Sequence, residues 1–433
     1  MTNSGAIVLR GETDWGERGW LVAAGLLIQT TLGLLFAWSA FLTPLFSVHG
    51  WDASTLLAPY RHSLVWFTFG LLVAARQAER RSPKTLARVG GCLLVGGCLF
   101  AAFFGSAEFG LTLGIGVMGG LGAGFAYLAP LATFRHWLPR HGTTFLGLTM
   151  LCFGLGSFLF APLLRAVLGS TPAAYSETIP QAFLMMASLF AIGVLGAGEL
   201  LPATRVWLAP RVFETILREW PQQEERPGEA WLRRSVPLVR LWLEWGMFFL
   251  GAFAGVTALQ NSVPSLGSIR WHEAWLATGV CVALVALANR IGHSFWAGLA
   301  ARAGRVGALL ILILISVGLS LLLTGGRLET TPAMAVLSIL GFGFGGFLGL
   351  MPHLAAEMMD ADDDLPMSFG VMFSAFGLCA FAAPFWLYAK RPETLLGNVS
   401  LLAISLGLLL GFLYLLLRPT RRRGALSQAM NHW

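Results

Sequence analysis

FGLGSFLFAP, Phe153–Pro162, recurs further along the chain as FGLCAFAAP, Phe376–Pro384, with the closing prolines 222 positions apart. The same 222-residue spacing separates Pro130, in YLAP, from Pro352, in GLMP, and Arg80 from Arg302. One coincidence would carry little, but three at a single offset indicate a duplicated unit. The surrounding composition says what is duplicated. Of 433 residues, 56% are hydrophobic and 12% charged, about half the charged fraction of an ordinary soluble domain. The mean hydropathy is +0.70. The repeated unit is therefore expected to be a bundle of membrane-crossing helices.

Twelve apolar runs follow one another, roughly at 20–43, 55–76, 86–105, 110–134, 143–168, 180–201, 238–262, 274–300, 304–324, 331–357, 367–389 and 395–417. Each is long enough to cross a ~30 Å hydrocarbon layer as a helix. Only residues 202–237 are both long and polar, and they divide the runs six and six. The chain thus predicts an all-α membrane protein of twelve transmembrane helices in two pseudo-symmetric six-helix bundles. The expected division is an N-terminal bundle at 1–201, a cytoplasmic central loop at 202–237, and a C-terminal bundle with a basic tail at 238–433. Within the loop, Val212, Phe213, Ile216, Leu217 and Trp220 share one helical face. That predicts an amphipathic helix, lying on the membrane surface or against the bundle ends. The glycine-rich stretches GIGVMGGLGAG (114–124) and GFGFGGFLG (341–349) fall inside runs, where small residues let helix backbones approach closely.

Orientation follows from the basic residues. With the amino terminus inside, 22 of the 29 Lys and Arg residues fall on inner segments, among them Arg76, Arg80, Arg81, Lys84, Arg88 and the arginines from Arg205 to Arg240. Arg61, Arg165, Arg270, Arg327, Lys390 and Arg391 fall outside, and Arg290 stays within a run. Both termini are expected in the cytoplasm and the protein in a bacterial inner membrane. The polar start, MTNSGAIVLRGETDWGERG, lacks the apolar core of a cleavable leader.

Several function classes are set aside. The five cysteines (Cys92, Cys98, Cys152, Cys281 and Cys379) all lie in apolar runs and form no CxxC pair, so they read as small hydrophobic residues. There is no HExxH, GxSxG or Walker lysine, so neither an enzyme nor a cofactor is expected. The net charge of +7 is spread between apolar runs and forms no nucleic-acid face. His353 and Glu357 stand one turn apart before the acidic run Asp360–Asp364. A solvated acidic loop accounts for them better than a metal site. The expected partners are a small organic anion, the lipid bilayer and, where transport is proton-coupled, protons. A monomer is expected.

Two turns carry a recognisable signature. ARQAERRSPKT (Ala75–Thr85) resembles the G-x-L-A-D-R-x-G-P-R-R signature of the major facilitators, matching at Arg76, Ala78, Arg80, Pro83 and Lys84. Glu79 stands where the signature has Asp, and Ser82 where it has Gly. The resemblance implies a conformational latch made of Arg76, Glu79, Arg80 and Lys84, with Arg302 and Arg305 in the second half. In AGLAARAGR (297–305), Ala301 replaces the acid, which weakens the second latch.

More narrowly, QTTLGLLFAWSAF (29–41), the stretch from Gly119 to Leu163, NRIGHSFWAGLAARAGR (289–305) and FGVMFSAFGLCAFAAP (369–384) resemble the oxalate/formate antiporter family and its monocarboxylate-transporting relatives. In the oxalate carriers of that family the eighth span supplies an arginine and the eleventh a lysine. Here His293 and Phe376 stand at those positions, and Phe36 stands where first spans often carry Tyr. A buried dianion needs charged partners to offset its desolvation, so oxalate is not carried over. The resemblance also implies Gln29, Trp38 and Tyr127 as cargo-site positions, although aromatic residues in spans are more often packing groups.

The intramembrane polar residues complete the candidate site. Taking Arg302 as the inner end of run eight, Arg290 lies about 18 Å from that end and His293 about 13–14 Å, near the bilayer middle. Asn289 and His293 share a face, and Arg290 neighbours His293. A cation at that depth costs roughly 2.5–3.5 kcal/mol on insertion scales. The cost is offset where the face lines a wet cavity visited by an anion. Arg61 joins the candidates from run two, with snorkelling to the headgroups as its alternative. His293 has an alternative as a hydrogen-bonded packing residue, and as a cargo ligand it suits proton-dependent binding. The expected function is secondary active transport of a small organic anion, a monocarboxylate by the resemblance. The alternatives are efflux of an amphiphilic near-neutral compound and a non-transporting scaffold or sensor.

Overall fold

The computed structural model describes residues 15–78, 80–137 and 142–203, together with positions 242, 245, 246, 249, 291, 295, 339, 342, 374, 375 and 377–379 of the second half. The first half forms six rods, one for each of the first six apolar runs. Rod one is α1 (Trp15–Leu32), a 3₁₀ segment (Gly33–Trp38) and α2 (Ser39–His49). Rods two and three are α3 (Ala53–Ala78) and α4 (Pro83–Phe104). Rod four joins α5 (Glu108–Leu111), a π segment (Thr112–Gly119) and α6 (Gly120–Trp137). Rod five is α7 (Gly142–Leu168). Rod six runs through a 3₁₀ turn (Pro172–Ala174), α8 (Tyr175–Phe190), a π segment (Ala191–Gly196) and α9 (Ala197–Glu199).

The turns between rods are written in the local sequence. Gly50 takes φ 67° and closes α2 by donating its N–H to the Phe46 carbonyl at 2.8 Å. This left-handed conformation is open to glycine at little cost. Asp52 then caps α3. Its carboxylate accepts from the Ser54 hydroxyl at 2.5 Å and from the Thr55 N–H at 3.3 Å. Those bonds, Ser54 foremost, lower its pKa to about 2. At the other end of α3, Ser82 caps α4 by accepting from the Thr55-equivalent third residue of that helix, Thr85 N–H, at 3.3 Å, with Pro83 in the first turn.

Close approach of backbones sets the packing. Lipid tails are as apolar as the helices, so tight contact rather than water exclusion must hold the rods together. Rod four is the hub. A Cβ on Gly122 would lie 2.6 Å from the Gly90 carbonyl oxygen, and one on Gly114 2.6 Å from that of Gly97. Both positions therefore exclude any larger residue and let rods three and four touch along their backbones, as the glycine-rich stretch 114–124 leads one to expect. Most buried hydroxyls satisfy themselves within their own helix. Thr30, Thr31, Thr68 and Thr133 donate to the carbonyls of Leu26, Leu27, Leu64 and Ala129 at 2.8–3.1 Å.

In the second half, the Trp245 indole N–H donates to Ser374 Oγ at 2.8 Å, and Cys379 Sγ to the Phe249 carbonyl at 3.0 Å. Runs seven and eleven therefore pack together. The Phe295 and Phe342 rings, 5.3 Å apart, join runs eight and ten. The halves meet where the Thr68 side chain occupies the space that a Cβ on Gly377 would need. The predicted amphipathic helix at 212–220 and the acidic run Asp360–Asp364 lie outside the described residues.

Candidate functional site

Four first-half side chains converge at one depth. Phe67 lies eleven residues from the end of α3, Tyr127 ten from the end of α6, and Phe153 eleven from the start of α7. At ~1.5 Å per residue, each is about 15–17 Å from the same basic end of the bundle. The Phe67 and Tyr127 rings meet edge to face with centroids 5.4 Å apart, and Tyr127 and Phe153 do so at 5.2 Å. Phe67 and Phe153 stack at 6.1 Å. Gln29 from rod one joins this wall by donating its amide to the Tyr127 backbone carbonyl at 3.0 Å. Gln29 is fully buried, and its own carbonyl oxygen has no hydrogen-bond partner. A buried polar atom left in that state costs roughly 1–3 kcal/mol; Thr112 Oγ1 is the other such atom among the described residues.

Local sequence explains how rod one brings Gln29 there. Thr30 and Thr31 bond back to the preceding turn, a pattern that bends helices. The chain then tightens into the 3₁₀ segment Gly33–Trp38, which contains Phe36. Rod five crosses at this point, because Gly156 sits against the Thr30 carbonyl and the Gly33 Cα. Short 3₁₀ stretches inside a helix mark hinges or strained segments.

The remaining first-half candidates go elsewhere. The Trp38 indole N–H donates to the Leu56 carbonyl at 2.9 Å, and its ring stacks on Phe41 at 5.4 Å. Phe41 in turn stacks on Phe183 at 4.6 Å. This second aromatic cluster joins rods one, two and six towards the end opposite the basic one. Arg61 reaches up its own helix and donates Nη2 to the Ser54 carbonyl at 2.8 Å, the posture of a snorkelling cation.

At the basic end, Arg76 is exposed in the last turn of α3, and the Arg80 N–H closes the following turn on the Gln77 carbonyl at 2.9 Å. Lys84 pairs with Glu199, the last residue of rod six, with Nζ 2.9 Å from Oε2. It also donates to the Glu199 carbonyl at 2.9 Å. Arg88 forks onto the same carboxylate at 2.5 and 2.8 Å. Arg88 and Glu199 were not among the latch residues expected from the signature. Phe67 and Phe153 were likewise absent from the expected cargo site, since an aromatic residue in an apolar run carries no signal of its own. Asn289, Arg290, His293, Phe376, Glu79, Arg302 and Arg305 lie outside the described residues.

This architecture has relatives. The model of the Major Facilitator Superfamily matches residues 63–384. The uncharacterized MFS-type transporter YhjX of Escherichia coli K12 is 24% identical over 383 residues, covering 84% of this chain and 87% of that one. The oxalate:formate antiporter of Oxalobacter formigenes is 24% identical over 352 residues, covering 78% of this chain and 77% of that one. Among solved structures, a double-tryptophan mutant of XylE superposes with a TM-score of 0.65 at 13% identity, over 93% of this chain and 96% of that one. The chain belongs to the Major Facilitator Superfamily. It is a multi-pass integral membrane protein with two pseudo-symmetric six-helix bundles, a secondary carrier that works by alternating access, and not an enzyme.

Proposed function

We propose that the cargo is a small organic monoanion, a monocarboxylate, held in a chamber between the bundles. Arg290 and His293 of the second half meet its charge. The Phe67, Tyr127 and Phe153 wall of the first half meets its carbon face. The observation that carries this proposal is where the acids stand. Among the described residues of the first half, Glu17, Asp52, Glu108, Glu177 and Glu199 all lie at rod ends or in turns. These described residues thus offer no carboxylate at the depth of Gln29, and a cation in the membrane middle needs an anion from elsewhere.

Further observations support the proposal. His293, nine residues from Arg302, falls about 13–14 Å from the inner end of run eight, close to the depth of the first-half wall. Ile291 and Phe295, on either side of His293 in sequence, are helical and each 54% exposed. Thr68 and Gly377, where the halves touch, are chain neighbours of Phe67 and Phe376. The unpartnered Gln29 oxygen offers an acceptor to a protonated carboxyl or hydroxyl group, which suits a proton moving with the anion. The relationship to a carrier named for formate as well as oxalate fits a monoanion, given His293 and Phe376 in this chain. We assign Trp38 to packing and Arg61 to anchoring at the helix end. The first-half latch sets Arg76, Arg80 and Lys84 around Glu79, and its second-half counterpart is Arg302 with Arg305. The bundles span 1–201 and 238–433 around the 202–237 loop, with both termini in the cytoplasm.

The test is uptake of labelled formate, lactate and oxalate into proteoliposomes, with and without a pH gradient. Arg290→Ala and His293→Ala should each lower monoanion uptake by roughly tenfold or more, the effect of losing one charge-assisted contact. Unchanged uptake in both variants, or oxalate preferred over the monoanions, overturns the proposal. Binding with no flux of any cargo would point to a sensor.

A further inference from the structure

Rod two shows three faces in three consecutive residues. Thr68 is buried and turns to the other half, where its side chain fills the space that a Cβ on Gly377 would need. Its hydroxyl is satisfied within its own helix by the Leu64 carbonyl at 3.1 Å, so it meets Gly377 by shape. Phe69 is 51% exposed, towards lipid. Gly70 turns to rod four, where a Cβ would lie 2.6 Å from the Leu121 carbonyl oxygen. Successive helical residues are about 100° apart, so a rod at the border of a bundle gives one residue each to the seam, the lipid and its own bundle.

The duplication carries this triplet into run eight. At the 222-residue offset that relates Arg80 to Arg302, Thr68, Phe69 and Gly70 become Arg290, Ile291 and Gly292. The glycine recurs, and Ile291 is 54% exposed against 51% for Phe69. The lipid face thus falls at the same place in both copies, which gives position 290 the seam face. The partner strip is duplicated too, with FGL at 153–155 and again at 376–378. Two residues beyond the glycine, each copy faces the first rod of its own bundle. Gly156 lies against the Thr30 carbonyl of rod one, and Cys379 Sγ donates to the Phe249 carbonyl of run seven at 3.0 Å. Gly154 of rod five is therefore the counterpart of Gly377.

We infer that Arg290 lies in the seam between the bundles, against rod five at Gly154, as the counterpart of Thr68 on Gly377. A glycine lets a neighbouring element approach closely, so a side chain much longer than that of threonine can pass there. The residue before Gly154 is Phe153 of the aromatic wall. Arg290 then belongs to one bundle and is presented at the wall of the other, which makes it the positioning residue that joins the two faces of the chamber. The placement needs no cargo. Only its use, bringing the carboxylate of a monoanion to Phe153, rests on the proposed function.

Disulfide formation in the full chain tests the placement. In a background with the five cysteines replaced by alanine, Gly154→Cys with Arg290→Cys should cross-link on mild oxidation in the membrane, since the bond needs Cβ atoms about 3.5–4.5 Å apart. After cleavage at a protease site inserted within 202–237, the two halves should migrate as one band until reduced. Gly154→Cys with Ile291→Cys, one step round run eight, should give two bands without reduction. Should cysteine at 154 prevent folding, Leu155→Glu serves instead, by setting a carboxylate beside the same spot. It should lower the unfolding temperature less in the wild type than in Arg290→Leu, where that carboxylate has lost its cation. A folded protein without the 154–290 cross-link overturns the inference, and so does an equal shift from Leu155→Glu in both backgrounds. A cross-link together with unchanged formate uptake by Arg290→Ala leaves the placement standing and removes Arg290 from cargo binding.

Discussion

At the basic end of the first bundle, Lys84 and Arg88 hold Glu199 at 2.9 and 2.5 Å with side chains 21%, 54% and 46% exposed. About 15 Å deeper, Gln29 and Tyr127 meet through a neutral amide-to-carbonyl bond at 3.0 Å, both buried. Water makes the difference. At the end, solvent screens the charges, so ion pairs are cheap to place and individually weak. In the middle, each polar atom must be answered by a neighbour or by a visitor, and a charge is tolerated only where a partner or wet cavity receives it. The first bundle thus clamps its basic end with charge pairs, while at the depth of Gln29 its described residues contribute neutral polar groups.

The sharpest way to break this contrast is to place a charge in the centre. Gln29→Glu should destabilise the protein by roughly 2.5–3.5 kcal/mol at neutral pH, read as thermal unfolding in detergent. The loss should shrink as the pH is lowered and the buried carboxyl takes a proton. Gln29→Leu sharpens the same point. It deletes one hydrogen bond and one unsatisfied oxygen together, so stability should stay within about 1 kcal/mol of wild type while cargo uptake falls. Unaltered uptake would make Gln29 a packing residue only.

At the basic end the effects should be small and dependent on salt. Glu199→Gln should shift the unfolding temperature at about 10 mM salt, where the screening length is about 30 Å, and lose that effect near 1 M, where it is about 3 Å. A salt-independent shift would mean that Glu199 acts by packing. The smallest effect belongs to Asp52. Its carboxyl is ionised more readily in the folded state than in the unfolded chain, with a pKa of about 2. The cap is therefore fully present above the ordinary carboxylate value and fades only as the pH falls towards about 2. Amide exchange at Thr55 should stay protected at pH 4 in the wild type and lose protection in Asp52→Ala; equal protection in both removes the cap from the account.

Much of this was legible along the chain because it depends on local chemistry. Apolar runs of membrane length gave the rods, and the glycine-rich stretch 114–124 foretold close backbone contact along rod four, whereas the caps at Gly50, Asp52 and Ser82 came only with the structure. The signature pointed to Lys84 but not to its partner. Glu199 lies 115 residues away, and nothing in a one-dimensional pattern brings rod six beside rod three. Arg61 had two readings, snorkelling and cargo binding, and its bond to the Ser54 carbonyl of its own helix could not be read from spacing. Phe67 and Phe153 had no signal, since their role comes from meeting Tyr127.

By itself the sequence determined that this chain crosses a membrane repeatedly as two related sets of helices, because hydropathy, glycine spacing and duplication act residue by residue or at a fixed offset. Tertiary structure alone decided which polar groups find partners. Gln29 keeps an unanswered oxygen, Trp38 is used up on Leu56, and Glu199 gathers two cations. Hydrogen bonds and ion pairs act over about 3 Å, so only the packing of rods distant in sequence can create them.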